Sequence, residues 1–543
     1  MQRRLIASWN PTDVAPVIAF FLLYLVVDRL TGTLSDLAEV DLAHWSLTLA
    51  AVGRRSIMWA GLVAAAGVLL VLSPGIRGRA TRPWAELDHG STLRLLAAPL
   101  IMILAWKGAL YPYNVYADQL HLLDRVLLVA LAAAALWRPA LLIPFALLFR
   151  VISAQTVFPF HTKAAQNIDE LPVIALLLIA AGHLLFVLTG RRSTSLVLLG
   201  IGTAVAAHFY IPGKGKLLMG WLADSDVANL PLAAYTAGWL GHTDGSVAAA
   251  VASVFERFAP IVRVATLVLE LGSLVAVAHR RLLRPWLVGW IGFHLVTFIT
   301  TGFFFLGWIL VEVGLLIVLS RRDLRPWVDE NATWPRALAA VVAVAGAPVL
   351  FHPPGLAWID APVSYGYRLE AVGESGTGYL LPASAFAPLE HEVMFKRLQF
   401  DGPGHLSGAY GALESNERLD ELNAIENLSD LLALEAEQPE PDATVRATSI
   451  GLLTDFMEAT GDGDVRSATR WLHRLNPPSL FWSSWSDDDY HFEERLDRLD
   501  VILLTRIHDP GRRDGGTVLT RTDPVATLTR LPDGSVEAVT VRR

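Results

Sequence analysis

The sequence predicts a polytopic α-helical membrane bundle of about 9–11 spans, followed by an α+β, sheet-containing soluble domain. Three observations carry that reading. The 543 residues are 53% hydrophobic and only 18% charged, with a mean hydropathy of +0.43. Long apolar runs follow one another through 1–351, whereas 352–543 is charged and acidic. Basic residues gather in the tight turns between the runs.

The same composition excludes whole classes of chemistry. Neutralising phosphates takes clustered Lys and Arg, so a net charge of −8 leaves no footprint for nucleic acid. With zero cysteines there is no disulfide framework, thiol nucleophile, cysteine zinc site or iron–sulfur cluster. Any chemistry falls to Lys, His, Glu, Asp or a bound cofactor. No His/Asp/Glu spacing reaches the specificity of a metal site.

A hydrocarbon core of about 30 Å takes roughly 20 helical residues. Candidate spans lie near 12–28, 56–73, 93–111, 122–137, 139–157, 171–189, 194–211, 260–278, 285–301, 303–319 and 337–351. The first follows Arg3-Arg4 and holds Pro11, Asp13 and Pro16; it reads as a span rather than a cleaved signal peptide. Leu122–Phe158 and Pro285–Leu319 are each too long for one crossing at about 1.5 Å per residue, so each must fold back. The turns are expected at Arg138-Pro139 and at Thr300-Thr301-Gly302. A cytoplasmic N-terminus places the basic groups around Arg77–Arg82, Arg138, Arg191–Arg192, Arg280–Arg284 and Arg321–Arg325 all on the cytoplasmic side. An odd number of spans then puts the C-terminal domain outside the plasma (inner) membrane; if 337–351, only about fifteen residues, lies at the interface instead, the domain is cytoplasmic. The connections 29–55, 112–121, 158–170 and 212–259 are read as outer loops, the last covering the site with Trp221, Tyr235 and Trp239.

In the soluble part, Tyr365–Val372 alternates as a strand and turns at Glu374–Gly378 into Tyr379–Leu381. Helical spacing runs from about Ala443 to Leu475, broken at Gly461-Asp462-Gly463. Strands return at Val501–Ile507, Thr517–Thr520, Ala526–Arg530 and Ser535–Val541. The stretch 401–441, rich in Gly, Glu, Asp and Pro, reads as a loop.

Ionisable groups at membrane depth are costly and become functional candidates. They are Lys107, His183, His208, Arg263, Glu270, His294 and Glu312, with Lys214 and Lys216 just after the seventh span. Structural readings compete: Arg263 and Glu270 share a helix face suited to ion pairs with neighbours, and Glu312 faces His294 across a hairpin. Lys216 stands apart, in Pro212-Gly213-Lys214-Gly215-Lys216-Leu217, where the span is expected to stop at Pro212. An amine walled by apolar groups is harder to protonate and serves more readily as a base; the competing reading is a lysine snorkelling to headgroups.

Gly213-x-x-Lys216-Leu217-x-x-x-Trp221 resembles the membrane motif of the vitamin K-dependent gamma-carboxylase family and its bacterial HTTM-domain relatives. The tract from Glu270 through Arg280-Arg281 and Phe293-His294 to Gly302-Phe303-Phe304 resembles that family's later pair of spans. Gly378–Phe386 resembles the start of its lumenal domain. Together these cover about 205–390.

The resemblance implies an enzyme that oxidises a quinol, vitamin K hydroquinone or menaquinol, with O2 to an epoxide. Lys216 matches the catalytic base. Trp221, Tyr210, His208 and Glu270 would line the quinone site, and His294 is a further catalytic candidate. In the carboxylase the oxygenated quinol anion removes a γ-proton from a Glu side chain and CO2 adds, so a peptide or protein substrate outside the membrane is implied, beside lipid and quinone. The family's Asn-His pair is broken here: Asn167 is followed by Ile168, and His161, upstream, is the candidate stand-in. That departure leaves quinol oxidation without carboxylation open. Two rival classes are a non-catalytic maturation or assembly factor, in which Lys216 is replaceable, and a transporter, which would show paired discontinuous helices.

Overall fold

The computed structural model describes residues 14–38, 48, 68, 72–84, 92–117, 119–156, 158–160, 164–191, 193–278, 280–321, 334–390, 398–402, 404–486, 489–509 and 516–541. The N-terminal, helical part is built from α1 (Ala15–Ala38), α2 (Pro74–Ala80), α3 (Thr92–Leu110), α4 (Leu122–Trp137), α5 (Leu142–Gln155), α6 (Ala164–Thr189) and α7 (Thr194–Leu218). It continues through the short α8 (Trp221–Asp224) and α9 (Asn229–Thr236), then α10 (Ser246–Leu271), α11 (Ser273–Ala278), α12 (Arg280–Thr301), α13 (Leu306–Ser320), α14 (Trp334–Ala345) and α15 (Ala347–Leu350). Among the described residues, six helical segments are long and apolar enough to cross a membrane: Ala15–Thr33, Thr92–Leu110, Glu170–Thr189, Thr194–Leu218, Ser246–Ala278 and Leu282–Thr301. Pro139–Gln155, Leu306–Ser320 and Arg336–Ala345 are apolar but shorter. The segment expected near 122–137 is α4, whose first turn carries Asp124. The expected span near 56–73 lies almost wholly outside the described residues, as do the basic residues Arg3 and Arg4.

Both expected reversals are present. Arg138 leaves α4 in an extended conformation and Pro139 opens a 3-10 turn into α5. Gly302 closes α12 at φ +74°, in the left-handed region; a Cβ there would lie 2.9 Å from the Trp482 carbonyl oxygen and from the Trp239 ring. The basic turns share one end of the array: Arg79 Nε donates to Val187 O at 2.6 Å, Arg138 to Thr81 O, and Arg284 to Leu319 O.

Three sequence expectations are corrected, and proline accounts for two of them. Pro212 does not end the seventh helix, which runs on to Leu218, and Pro260 does not begin the next, which starts at Ser246. Pro99, Pro172 and Pro285 also sit inside helices. A lost backbone donor is tolerable where neighbouring helices supply the packing. The supposed outer loop 212–259 is therefore largely helical. The third correction is 401–441, which holds β4 (Ala412–Leu413), α16 (Leu419–Asn423) and α17 (Leu428–Ala436). Asn427 caps α17 by accepting from Ser429 N and Asp430 N, and Leu431 and Glu435 are buried beneath it, the Glu435 carboxylate accepting from Tyr365 OH at 3.0 Å and Arg521 Nη2 at 2.8 Å.

The sheet domain adds β1 (Ile359–Asp360), β2 (Val363–Gly373), β3 (Gly378–Leu381), α18 (Ala443–Gly461), α19 (Gly463–Arg474), β5 (Leu496–His508), β6 (Thr517–Arg530) and β7 (Val536–Thr540). Its antiparallel sheet has the order β3-β2-β5-β6-β7, and β1 pairs with β4. The expected hairpin pairs Val372 with Gly378, and β2 then pairs along β5 with Tyr367 opposite Leu503. Two strands expected at 517–520 and 526–530 are one, β6, which keeps pairing across Pro524 by a register shift near Val501/Ile502. Asp462 caps α19 through Asp464 N and Val465 N.

The domain is seated on the end of the array opposite the basic turns. Tyr116 OH donates to Ala385 O at 2.5 Å, and Trp106 Nε1 to Leu475 O at 2.7 Å. Asp360 Oδ1 accepts from Ser225 Oγ at 2.6 Å and from Asp226 N and Val227 N, both at 3.0 Å. Ser364 Oγ bridges Thr236 Oγ1 at 2.9 Å and His508 Nε2 at 2.6 Å.

His508 is buried, and burial pushes its pKa down to about 3. The unfolded chain takes up a proton near 6.5, so its stabilising neutrality is intact above 6.5 and is lost as pH falls from there toward 3. Stability is expected to fall by about 1.4 kcal/mol per pH unit in that window. His508→Gln, which keeps a hydrogen bond to Ser364, should flatten the dependence measured by urea unfolding of the full chain at pH 7 and pH 5.5.

Candidate acid–base site

Lys216 lies in the last turn of α7 with only 4% of its side chain exposed, whereas Lys214, about 200° around the helix, is exposed. Its Nζ forms an ion pair with Glu270 Oε1, presented by α10 and itself 3% exposed. The glycine before the lysine makes this pairing feasible. A Cβ on Gly213 would stand 2.6 Å from Glu270 Cβ, so only glycine lets α7 and α10 close to this distance. Gly213→Ala is expected to cost about 1–3 kcal/mol by overpacking, read as a lower unfolding midpoint, and to loosen the ion pair.

Two indoles wall the ammonium. The Trp221 ring centroid lies 5.6 Å from Nζ and the Trp358 centroid 5.4 Å, both within cation–π reach. Trp221 is held at the start of α8. Trp358 arrives from the strand-entering segment of the sheet domain, whose Ala357 packs on Gly215. Around the pair, Trp221 Nε1, Trp358 Nε1 and Glu270 Oε2 are buried with no hydrogen-bond partner among the described residues. Two donors and one acceptor beside a buried cation are thus left without a partner among the described residues.

The other expected residues distribute as follows. His208 is buried two turns below Lys216 on α7; its Nδ1 meets Ala204 O at 2.8 Å, and its ring stands edge-on to Trp308 at 5.0 Å. His294 Nε2 lies 3.2 Å from Glu312 Oε1, as the hairpin pairing anticipated, inside a cage of Phe209, Phe293, Phe305 and Trp308. Tyr210 is half-buried against the bundle core and makes no contact with Lys216 in the pairings above. Arg263 pairs with no carboxylate among the described residues; its Nη1 donates to Ala223 O at 3.1 Å, and Lys216 takes Glu270 instead. His161 lies outside the described residues; Asn167 and Ile168 fall in the first turns of α6.

Two further buried polar clusters went unforeseen. Arg150 binds Asp28 Oδ1 and Glu170 Oε1, each at 2.7 Å, and Thr31 Oγ1 at 2.6 Å. His121, at φ +45°, stacks on Tyr113 and places Nδ1 3.5 Å from Asp124 Oδ2, while Nε2 lies 3.1 Å from Asn114 Nδ2. Arg125 lies 4.2 Å from the Tyr113 centroid. A signal existed for these: Asp28, Asp124, Arg125 and Arg150 interrupt apolar runs as plainly as Glu270 does. No three His, Asp or Glu side chains gather as a metal site among the described residues.

These features define a helical protein with six segments able to cross a membrane among the described residues, a C-terminal sheet domain seated at one end of the helices, and a buried lysine–glutamate pair between them. No family model, curated protein or solved structure matches the chain.

Proposed function

We propose that the protein is a membrane enzyme of the gamma-carboxylase-like kind, with about 9–11 spans, that oxidises a quinol with O2 using Lys216 as base. The supporting observation is the buried Lys216–Glu270 pair beneath two indoles whose N–H groups have no partner among the described residues. A quinol offers what those groups lack: two oxygens to accept from the indoles, an O–H for the carboxylate, and a flat ring for the aromatic walls. Menaquinol is the substrate of choice for a bacterial membrane, and its isoprenoid tail is compatible with the apolar helices.

Proton transfer from Lys216 to Glu270 within the pair leaves a neutral amine. The amine takes the quinol proton, and the resulting ammonium offsets the quinolate charge in a site that excludes water. Oxygen is the oxidant: quinol plus O2 gives quinone epoxide plus water. Proton removal from a Glu side chain of an outside peptide, with addition of CO2, is the coupled step this reading allows. It places the N-terminus in the cytoplasm and the sheet domain outside the inner membrane.

The test is quinone epoxide formation by purified protein in detergent, supplied with reduced menaquinone and, separately, vitamin K hydroquinone, under oxygen. Epoxide that depends on Lys216 supports the reading. No epoxide from folded protein with either quinol returns the chain to the class of non-catalytic maturation factors.

A further inference from the structure

A cleft of about 450 Å³ opens where α19 of the sheet domain approaches the facing ends of α3 and α4. Leu110, Leu122, Val126, Val129, Trp471 and Leu472 line it. Arg125 also borders it; its Nε and Nη1 donate to the carbonyl oxygens of Leu120, Ala109 and Tyr111, while its Nη2 is buried with no hydrogen-bond partner among the described residues. The rest of the lining is apolar, so an acyl chain fits it better than a polar ligand, which would lose its hydration there for at most one nearby donor. Leu122, Val126 and Trp471 are each about 60% exposed, at 63%, 60% and 58%, so the cleft is open to its surroundings.

The rim is charged on one side only. At 100° per residue, Arg470 and Arg474 fall about 100° and 60° to one side of Trp471, while Leu475 and Leu472 fall on the other. Leu472 and Thr469 anchor α19 to the domain, leaving Trp471 and Leu475 exposed. Neither Arg470 nor Arg474 forms an ion pair or side-chain hydrogen bond with a described residue. Asp462 and Asp464 are at the far end of the helix, where Asp462 serves as its cap. Tryptophan beside arginine on an amphipathic helix, level with the ends of spanning helices, suits the headgroup layer of a bilayer.

We propose that this cleft binds an anionic phospholipid, with an acyl chain between α3, α4 and Trp471 and the headgroup phosphate on Arg470 and Arg474. The proposal rests on α3 and α4 crossing the membrane and is independent of the chemistry at Lys216. An isoprenoid tail would fill the apolar space but would leave both guanidiniums without a partner, so the charge favours phospholipid.

Native mass spectrometry of delipidated full-length protein, titrated with phosphatidylglycerol or phosphatidylcholine of identical chains, tests it. Wild type is expected to favour phosphatidylglycerol by roughly twenty-five-fold, the product of about fivefold for each arginine near an anionic headgroup. The R470Q/R474Q double variant should bring phosphatidylglycerol down to the phosphatidylcholine level and leave phosphatidylcholine unchanged. Val126→Trp, which fills an exposed position in the cleft, should weaken both lipids. Equal binding of the two lipids to wild type would overturn the proposal, as would a preference that survives R470Q/R474Q. Displacement of phosphatidylglycerol by menaquinone, equally from wild type and the double variant, would assign the cleft to isoprenoid and also overturn it.

Discussion

Replacing Lys216 by alanine is expected to lower epoxide formation from menaquinol by about 10²- to 10⁴-fold, the usual contribution of a positioned general base. The loss should appear in turnover at saturating quinol, because the lysine acts on the proton rather than on the isoprenoid. Lys216→Arg should be equally inactive. A guanidinium keeps the charge and the contact with Glu270, but it does not deprotonate and so cannot accept a proton. A charge-only role for Lys216 would leave the arginine variant active, so this variant separates a base from a counter-ion. Epoxide yield per mole of folded protein, with folding checked by gel filtration in detergent, is the measurement.

The second large effect concerns stability. Glu270→Ala is expected to destabilise the protein by about 3–5 kcal/mol, because it strands an ammonium in the interior. The helix–helix approach that Gly213 permits places that ammonium where water cannot easily reach it. Lys216→Met combined with Glu270→Leu should cost much less than the sum of the single changes, since a buried pair replaced by apolar groups is often nearly neutral. Unfolding of the four proteins by denaturing detergent would measure the coupling. Additive single effects would mean that the two side chains are solvated independently, and the acid–base reading of the site would fail with that result.

What could be read beforehand divides along physical lines. Reversals at Arg138-Pro139 and Gly302 were legible because residues with restricted or permissive backbones mark them regardless of surroundings. The β2–β3 hairpin was legible from alternation and a glycine-rich turn. Helix boundaries at Pro212 and Pro260 were not, because an internal proline is tolerated by packing against other helices, which no local window contains. The helices within 401–441 escaped because their composition is that of a solvated surface; Leu431 is buried by contacts distant in sequence. At the site, Lys216, Trp221 and Glu270 were named in advance. Their mutual contact was not, and Trp358 was missed altogether: it comes from the polar side of the boundary at 351, where a tryptophan reads as an ordinary domain residue. The Arg150 and His121 clusters were missed because their members come from three separate apolar runs and the connections 29–55, 112–121 and 158–170, and make sense only once those segments are side by side.

The path of residues 352–360 also bears on how the molecule could be dissected. A half-molecule ending at 351 would retain the apolar helices and both Lys216 and Glu270. It would lack Ala357 against Gly215, the Trp358 wall, and the Asp360 carboxylate that gathers Ser225, Asp226 and Val227. Such a fragment could insert and yet present its lysine to water, while the sheet domain expressed alone would carry an indole with no cation to cover. Complementation by two separately made halves would then demand reassembly of the seam itself, which makes a split chain a sensitive reporter of whether the site is shared.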